Sequence, residues 1–378
     1  MKIIADDKIP FLRGVIEPFA EVCYVPGHMI TRETAAGADA LLIRTRTRCN
    51  EALLKGSAVR FIGSATIGFD HIDTLYCEQN GIAWTNAPGC NSSSVCQYVV
   101  SALMRLSAEK KITLEGKTIG IIGAGNVGLK VEKAARALGM NVIINDPPKA
   151  ELKAAMCFEP LEAVLEQADI ITVHVPLVMS GANATFHLFD DGTFGKVGKK
   201  KAWLINTSRG EVVCSNALKK ALERGIIAGA ILDVWENEPY VDAWLLQNAF
   251  IATPHIAGYS ADGKANGTLM VVNALQRFFN IEPSELKQDV PPPGHPVIEI
   301  ETAGCAAAET VREAVFHSYD VATDSVRLKR SPATFETQRD ACAGRREFTA
   351  YTAVLRRHNA AAEKALFGLG FNVQVPVV

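Results

Sequence analysis

Apolar positions along this chain follow two patterns that take turns. Short uninterrupted apolar blocks (KIIA, CYV, ALLI, FIG and GIAW within the first 90 residues) alternate with stretches whose apolar residues recur every three or four positions. Uninterrupted blocks predict strands buried on both faces, and the spaced stretches, FLRGVIEPFAEV for one, predict the helices that cover them. Residues 1–94 therefore read as a parallel α/β domain. The alternation begins again at residue 95 with the helical VCQYVVSALMRL. It runs through TIGII, VII, ADIITVHVP, KAWLINTS, IAGAILDVW and NAFIATP to residue 257, which predicts a second, doubly wound parallel sheet. A long helical stretch, DGKANGTLMVVNALQRFFN, follows, and residues 258–290 are expected to return to the first domain and make it discontinuous. PPPG at 291–294 breaks the chain. Residues 291–378 then mix strand-like VIEIETA and FNVQVPVV with helical TVREAVFHSYD and AAAEKALFGL, a small α+β domain whose expected role is assembly.

The junction between TIGII and the helix after it carries chemistry. Gly123, Gly125 and Gly128 are spaced G-x-G-x-x-G, with Asn126 and Val127 opening the helix. The first glycine permits the tight turn, the second lets a pyrophosphate approach bare backbone, and the third lets the helix sit close on the sheet. The helix N-terminus then presents unpaired N–H groups to the phosphates. Asp146, at the end of the following strand, can accept hydrogen bonds from a ribose 2′-OH, whereas a 2′-phosphate there would meet a like charge. The pattern predicts a Rossmann-type domain that binds NAD in preference to NADP, with Lys149 near enough to soften the preference.

Composition narrows the partners. With 39 basic and 41 acidic residues in 378, the net charge of −2 gives no general attraction to nucleic acid or to an anionic membrane. Nine cysteines with no C-x-x-C pair argue against a disulfide framework and against a zinc knuckle, so no metal is expected and a reducing cytoplasm fits best. MKIIADD is too short an apolar start for a signal peptide, and the uncharged run 170–189 is broken by histidine, proline and glycine.

In open parallel sheets ligands sit beyond the C-terminal ends of strands. In the first domain those ends carry Arg44, Thr45 and Thr66, which are either small-substrate contacts or ordinary loop residues. In the second they carry HVP at His174, NTSRG with Arg209, DVWENEP with Asp233 and Glu238, and TPHIAGY with His255 and Tyr259. Hydride transfer needs a base for the hydroxyl proton, a cation for the substrate carboxylate and a nicotinamide facing the reacting carbon. His255 is the candidate base, Glu238 the group that fixes its tautomer, and Arg209 the cation that grips a carboxylate through paired hydrogen bonds. His174, between apolar neighbours, reads as a core histidine and is left out of the site.

The order GAGNVG, INTSRG, DVWENEP, TPHIAGY resembles the D-isomer-specific 2-hydroxyacid dehydrogenases. KIIADDKIP, RTRT, GSATIGFDHID, NAPGCN, TPHIAGYSADGKANGT and GRREF extend the resemblance over essentially the whole chain, toward a branch of that family acting on a phosphorylated sugar acid. The resemblance implies NAD-dependent oxidation of 4-phospho-D-erythronate at C2 to 2-oxo-3-hydroxy-4-phosphobutanoate, in the formation of pyridoxal 5′-phosphate. It also implies a flavodoxin-like substrate domain and a homodimer joined by the C-terminal domain. Arg209, Glu238 and His255 match the family's catalytic set, Thr45, Thr66 and Tyr259 would contact substrate, and Asp146, Val175, Asp233 and Gly258 would contact NAD. The family commonly has serine at the position of Thr45 and threonine at that of Val175, and valine keeps only the backbone contact. The loop 178–201 looks irregular and is expected to lie away from the chemistry. The substrate's phosphate calls for cations, for which Arg44, Arg46 and, across a dimer, Arg345 or Arg346 are candidates when not simply solvated. The competing readings are a dehydrogenase of another D-2-hydroxy acid, such as 3-phosphoglycerate or glycerate, and an NAD-sensing corepressor-like binding protein.

Overall fold

The structure, a computed structural model, describes residues 1–152, 157–282 and 288–376, so the last two residues of FNVQVPVV lie outside it. The chain forms two compact units, one of Met1–Asn91 with Ala261–Pro291 and one of Ser92–Ser260 with Pro292–Val378.

The first unit holds a parallel sheet of β1 (Lys2–Asp6), β2 (Glu21–Val25), β3 (Ala40–Ile43), β4 (Phe61–Ser64) and β5 (Ala83–Thr85) in the order β2-β1-β3-β4-β5. That is the flavodoxin-like order. Successive side chains of a strand point to opposite faces. Accordingly Ile4, Leu41, Ile43 and Ile62 enter one core, while Ile3, Ala5, Leu42 and Phe61 enter another that is closed by Val271, Val272 and Leu275 of the helix Ala261–Phe278. The helical stretch after residue 260 thus supplies the cover for one face of this sheet. The expected helix at FLRGVIEPFAEV does not form. Residues 11–20 make a series of turns, with Gly14 at φ +82° and Pro18 unable to donate within a helix, and only Glu21–Val25 at the end of that stretch is regular, as β2.

In the second unit β6 (Thr118–Ile122), β7 (Asn141–Asn145), β8 (Ile170–Val173), β9 (Trp203–Asn206), β10 (Gly229–Leu232) and β11 (Ile251–Ala252) form a parallel sheet in the order β11-β10-β9-β8-β6-β7. Strand order reverses between β6 and β8, where a ligand crevice opens in such sheets. The same alternation sorts its two faces: Ile119, Ile121, Ile205 and Ile231 pack with Val99, Leu103 and Leu106 of the helix Ser92–Lys110, and Ile122, Ile171, Leu204 and Leu232 pack on the other side.

The C-terminal segment is continuous with this unit. Its parallel strands β12 (Val297–Ile300), β13 (Thr352–Leu355) and β14 (Asn372–Gln374), in the order β12-β13-β14, send Ile298, Ile300, Ala353 and Leu355 into the same core as Val99 and Leu103. The middle strand and the helices Val321–Arg330 and Phe335–Ala341 were not among the expected elements. β13 is four residues long, with every second residue buried, too short for a periodicity argument.

Candidate active site

At the reversal point the glycine turn has the geometry its spacing predicts. Gly123 stands at φ +96°, and a Cβ there would lie 2.7 Å from the His174 carbonyl and 2.9 Å from Val175 Cγ1. A Cβ on Gly128 would lie 2.0 Å from the Gly123 carbonyl, so the helix Asn126–Ala137 rests directly on the turn. Around Gly125, by contrast, a Cβ would meet nothing within 4 Å. Gly125 is the N-cap of that helix and no side chain caps it, which leaves the N–H groups of Asn126 and Val127 for an anionic ligand. A bare, uncrowded N-terminus beside two tightly packed glycines fits a dinucleotide pyrophosphate.

Asp146 is part of the same turn. Its Oδ2 accepts from the Ala124 N–H at 2.8 Å, its Oδ1 accepts from the Lys149 N–H at 3.1 Å, and the Lys149 ammonium donates to the Ala124 carbonyl. A carboxylate has about four acceptor positions, so two backbone bonds leave room for a ribose hydroxyl.

The loops after β9, β10 and β11 follow one another at a single sheet edge, and each presents one candidate group. After β9, the buried Asn206 shapes the turn: its Oδ1 accepts from the Ser208 N–H (3.1 Å) and hydroxyl (2.8 Å), and its Nδ2 donates to the Arg209 carbonyl (3.0 Å). Arg209 is exposed and donates through Nη1 to the Ser208 carbonyl at 2.8 Å, and it makes no ion pair among the described residues. Gly210 then packs against the next loop so tightly that a Cβ would lie 2.0 Å from the Trp235 carbonyl carbon. The Arg209 loop therefore abuts the turn that carries Glu238.

Glu238 Oε1 accepts from the Trp235 N–H at 2.9 Å, and Oε2 lies 2.7 Å from His255 Nδ1. A carboxylate can only accept, so Nδ1 carries the proton and Nε2 keeps its lone pair. His255 itself sits in the left-handed region at φ +57°, held there by its N–H donating to the Asp233 carbonyl at 2.7 Å. Asp233 is 1 % exposed. Its Oδ1 accepts from the Thr253 hydroxyl (2.7 Å) and the Ile256 N–H (2.8 Å), and its Oδ2 accepts from the Ala257 N–H (2.9 Å), so the carboxylate brackets the histidine loop on both sides. Gly258 follows directly, and then Tyr259, whose hydroxyl accepts from Arg339 Nε at 3.0 Å.

Other expected residues belong to the first unit or make further contacts. In the first unit Arg44 Nε is 3.5 Å from Oδ2 of the buried Asp6, Thr45 is exposed, and the Thr66 hydroxyl donates to the Gly68 carbonyl at 3.0 Å and contacts Ser64 Oγ at 2.7 Å. Arg346 is half-buried, and its carbonyl accepts from Gln97 Nε2 at 2.9 Å. His174 is a satisfied histidine, between the hydroxyls of Thr172 (2.9 Å) and Thr207 (3.2 Å), and burial pushes its pKa down to about 3. The loop 178–201 does not lie away from the site turn. Its His187 Nε2 is 2.7 Å from Oε1 of Glu236, two residues from Glu238, and Oε2 of that glutamate takes the Ser215 N–H at 2.7 Å. Sequence reasoning missed Asn206, Thr253, His187 and Glu236; a polar residue at the end of an apolar run marks Asn206 and Thr253, but nothing local marks the pair. Among the described residues, no cluster of three or more His, Cys, Asp or Glu could hold a metal ion.

Fold and site together define an NAD-dependent dehydrogenase of 2-hydroxy acids. Residues 97–257 match the family model described as D-isomer specific 2-hydroxyacid dehydrogenase, NAD binding domain. The chain is 50 % identical to an erythronate-4-phosphate dehydrogenase of Bacteroides fragilis over 94 % of its own length and all of that protein's, and 38 % identical to one from Proteus mirabilis over 98 % and 99 %. Among solved structures it is similar to a D-lactate dehydrogenase from Sporolactobacillus, with 29 % identity and a TM-score of 0.59 over 76 % of this chain and 98 % of that one. The Aquifex aeolicus D-lactate dehydrogenase complexed with NAD and lactic acid shares the fold at 23 % identity, with a TM-score of 0.56 over 75 % of this chain and all of that one. The chain belongs to the erythronate-4-phosphate dehydrogenase family, within the D-isomer specific 2-hydroxyacid dehydrogenases.

Proposed function

We propose that this chain oxidises 4-phospho-D-erythronate at C2 to 2-oxo-3-hydroxy-4-phosphobutanoate, on the way to pyridoxal 5′-phosphate. The observation that carries the reading is the His255–Glu238 pair at 2.7 Å, standing at the edge of a sheet whose glycine turn fits a dinucleotide. When bound, NAD supplies a nicotinamide C4 that accepts hydride. His255 Nε2 takes the C2 hydroxyl proton, Glu238 stabilises the imidazolium that results, and Arg209 holds the substrate carboxylate. Asn126 and Val127 would hold the pyrophosphate, Asp146 the adenosine ribose, and Val175, Asp233 and Gly258 would line the nicotinamide end. Thr45, Thr66, Tyr259, Arg44 and Arg346 would contact the substrate.

The curated relatives' shared name supports the substrate. We further infer three working domains (1–94 with 258–290, 95–257 and 291–378), a homodimer formed through the last of them, and residence in the cytoplasm, for which the nine unpaired thiols speak. Offering purified protein NAD with 4-phosphoerythronate, 3-phosphoglycerate, glycerate and D-lactate in turn tests the substrate. Appearance of NADH is expected with the first far above the others, and preference for any other acid overturns the reading.

Asp146→Ala is expected to raise the KM for NAD by about 10- to 100-fold, the loss of one or two hydrogen bonds to a charged acceptor. It should also narrow the NAD over NADP ratio. Unchanged discrimination in steady-state assays with both cofactors would remove Asp146 from the ribose.

A further inference from the structure

We propose that the C-terminal segment builds an oxyanion site of the phosphate-monoester class against Tyr259, walled by Arg327, Arg345 and Tyr319, with Arg339 held at the Tyr259 hydroxyl. The proposal deepens the functional reading above, since it names the part of the chain that takes the substrate's phosphate, and it rests on that reading for the identity of the occupant.

A cavity of about 250 Å³ opens there, with Tyr259, Tyr319, Asp324, Arg327 and Arg345 in its wall. It has room for about eight waters at ~30 Å³ each, and so for a phosphoryl group. Arg345 enters from the C-terminal segment and donates through Nη2 to the carbonyls of Ser94 and Ala257 and to the Ser94 hydroxyl. Its Nε and Nη1 are buried with no hydrogen-bond partner, and no carboxylate pairs with it among the described residues. A buried guanidinium with no carboxylate hydrogen-bonded to it is costly, and water satisfies its N–H groups without neutralising it.

The local charge balance points the same way. Arg327 Nη1 donates to Asp324 Oδ1 at 3.1 Å and the Tyr319 hydroxyl donates to Asp324 Oδ2 at 2.9 Å, which satisfies the one carboxylate in the wall. Asp324 lies within electrostatic reach of Arg345 as well as Arg327 but is one charge against two, and Arg339 donates Nε to Tyr259 and has no other hydrogen-bond partner among the described residues. Two surplus guanidiniums call for about two negative charges on one compact ligand with several acceptor oxygens, which describes a phosphate monoester or phosphate itself. Tyr259 lies four residues past His255, on the loop that Arg345 grips through Ala257. The site is therefore placed for the far end of a substrate whose other end reaches the histidine. The arginines of this site act from within one chain, and the expectation of an arginine reaching across a dimer is separate from it.

The test compares full-length wild type with Arg339→Gln and Arg327→Gln, both checked for an unchanged melting temperature, and uses inorganic phosphate as the probe in calorimetric titration at fixed ionic strength. Both variants are expected to bind phosphate about 10- to 100-fold more weakly, the loss of a charge-assisted hydrogen bond. If the occupant is the substrate's phosphoryl end, phosphate competes with 4-phosphoerythronate and kcat/KM for that acid falls by a similar factor, while that for unphosphorylated D-erythronate holds. If the occupant is a free oxyanion, the same variants weaken phosphate binding but phosphate does not compete with substrate. Either pattern supports an oxyanion site, and the second overturns its assignment to the substrate's phosphate. Equal phosphate affinity in wild type and variants, or equal losses on the phosphorylated and unphosphorylated acids, overturns it. A wild type that leaves 4-phosphoerythronate untouched would refute the functional reading instead, and the phosphate titration would still decide the site.

Discussion

His255→Asn is expected to lower kcat by about 10² to 10⁴ while leaving the affinity for NAD unchanged, the range over which a general base contributes. Asparagine is the informative replacement. His255 occupies a left-handed backbone conformation at φ +57°, which asparagine tolerates better than alanine does, so the loop keeps its shape while the base is lost. The size of the loss follows from the pairing. With Nδ1 donating to Glu238 at 2.7 Å, the ring presents Nε2 as its lone basic atom, and the carboxylate behind it stabilises the charge that proton transfer creates. Glu238→Gln is correspondingly expected to cost less than His255→Asn in kcat, because it leaves the base in place without its counter-charge. Steady-state kinetics together with a direct NAD titration separate these effects. A His255 variant that keeps kcat but loses NAD would turn the residue into a cofactor contact.

Asp233→Asn is expected to damage both stability and turnover. Every hydrogen bond to this carboxylate is donated to it, by a hydroxyl and by two backbone N–H groups. An amide can accept at only one of the two oxygen positions. At the other its NH₂ meets a donor, and at 1 % exposure water does not relieve the clash. The expected cost is about 1–3 kcal/mol in unfolding free energy, the penalty for leaving a buried polar group unsatisfied. It should appear as a lower urea midpoint at unchanged m-value. Turnover should fall as well, since the same three bonds fix the backbone on either side of His255. Thr253→Val is the control, because it removes the hydroxyl shared by Asp233 and Tyr98 (2.7 Å to each) and leaves the two backbone bonds. A stable Asp233→Asn protein with full activity would mean that the loop is set by packing alone.

What could be read from the sequence, and what could not, follows the distance over which each feature is encoded. The glycine turn and Asp146 lie within 24 residues of each other, and their spacing already carries the strand, the turn, the helix and the acid. His255 and Glu238 could be paired because each follows a buried strand of one sheet, and parallel strands bring their ends to the same edge. The supports behind them were illegible. Asp233 reads as one more strand-end acid until its three donors are seen, and the link from Tyr98 to Thr253 joins positions 155 apart. The His187–Glu236 pair joins a loop that looked irrelevant to the site turn. The C-terminal segment read as a small α+β domain of its own, yet Arg345 reaches Ser94 and Ala257, and Ser260 donates to the buried Glu347 at 2.9 Å. Such contacts arise from packing between distant segments and leave no periodicity behind. The expected helix at residues 11–22 failed for a local reason, since its apolar spacing is helical while Gly14 and Pro18 are not.

The proposed reaction is a hydride transfer from C2 of the substrate, with His255 taking the proton from oxygen. The most direct measurement is turnover of 4-phospho-D-erythronate deuterated at C2, followed by NMR of the nicotinamide product. The deuterium is predicted at C4 of NADH, on one face of the ring, with none released to solvent. Deuterium lost to water would mean that a proton, and no hydride, leaves C2, and would contradict the account.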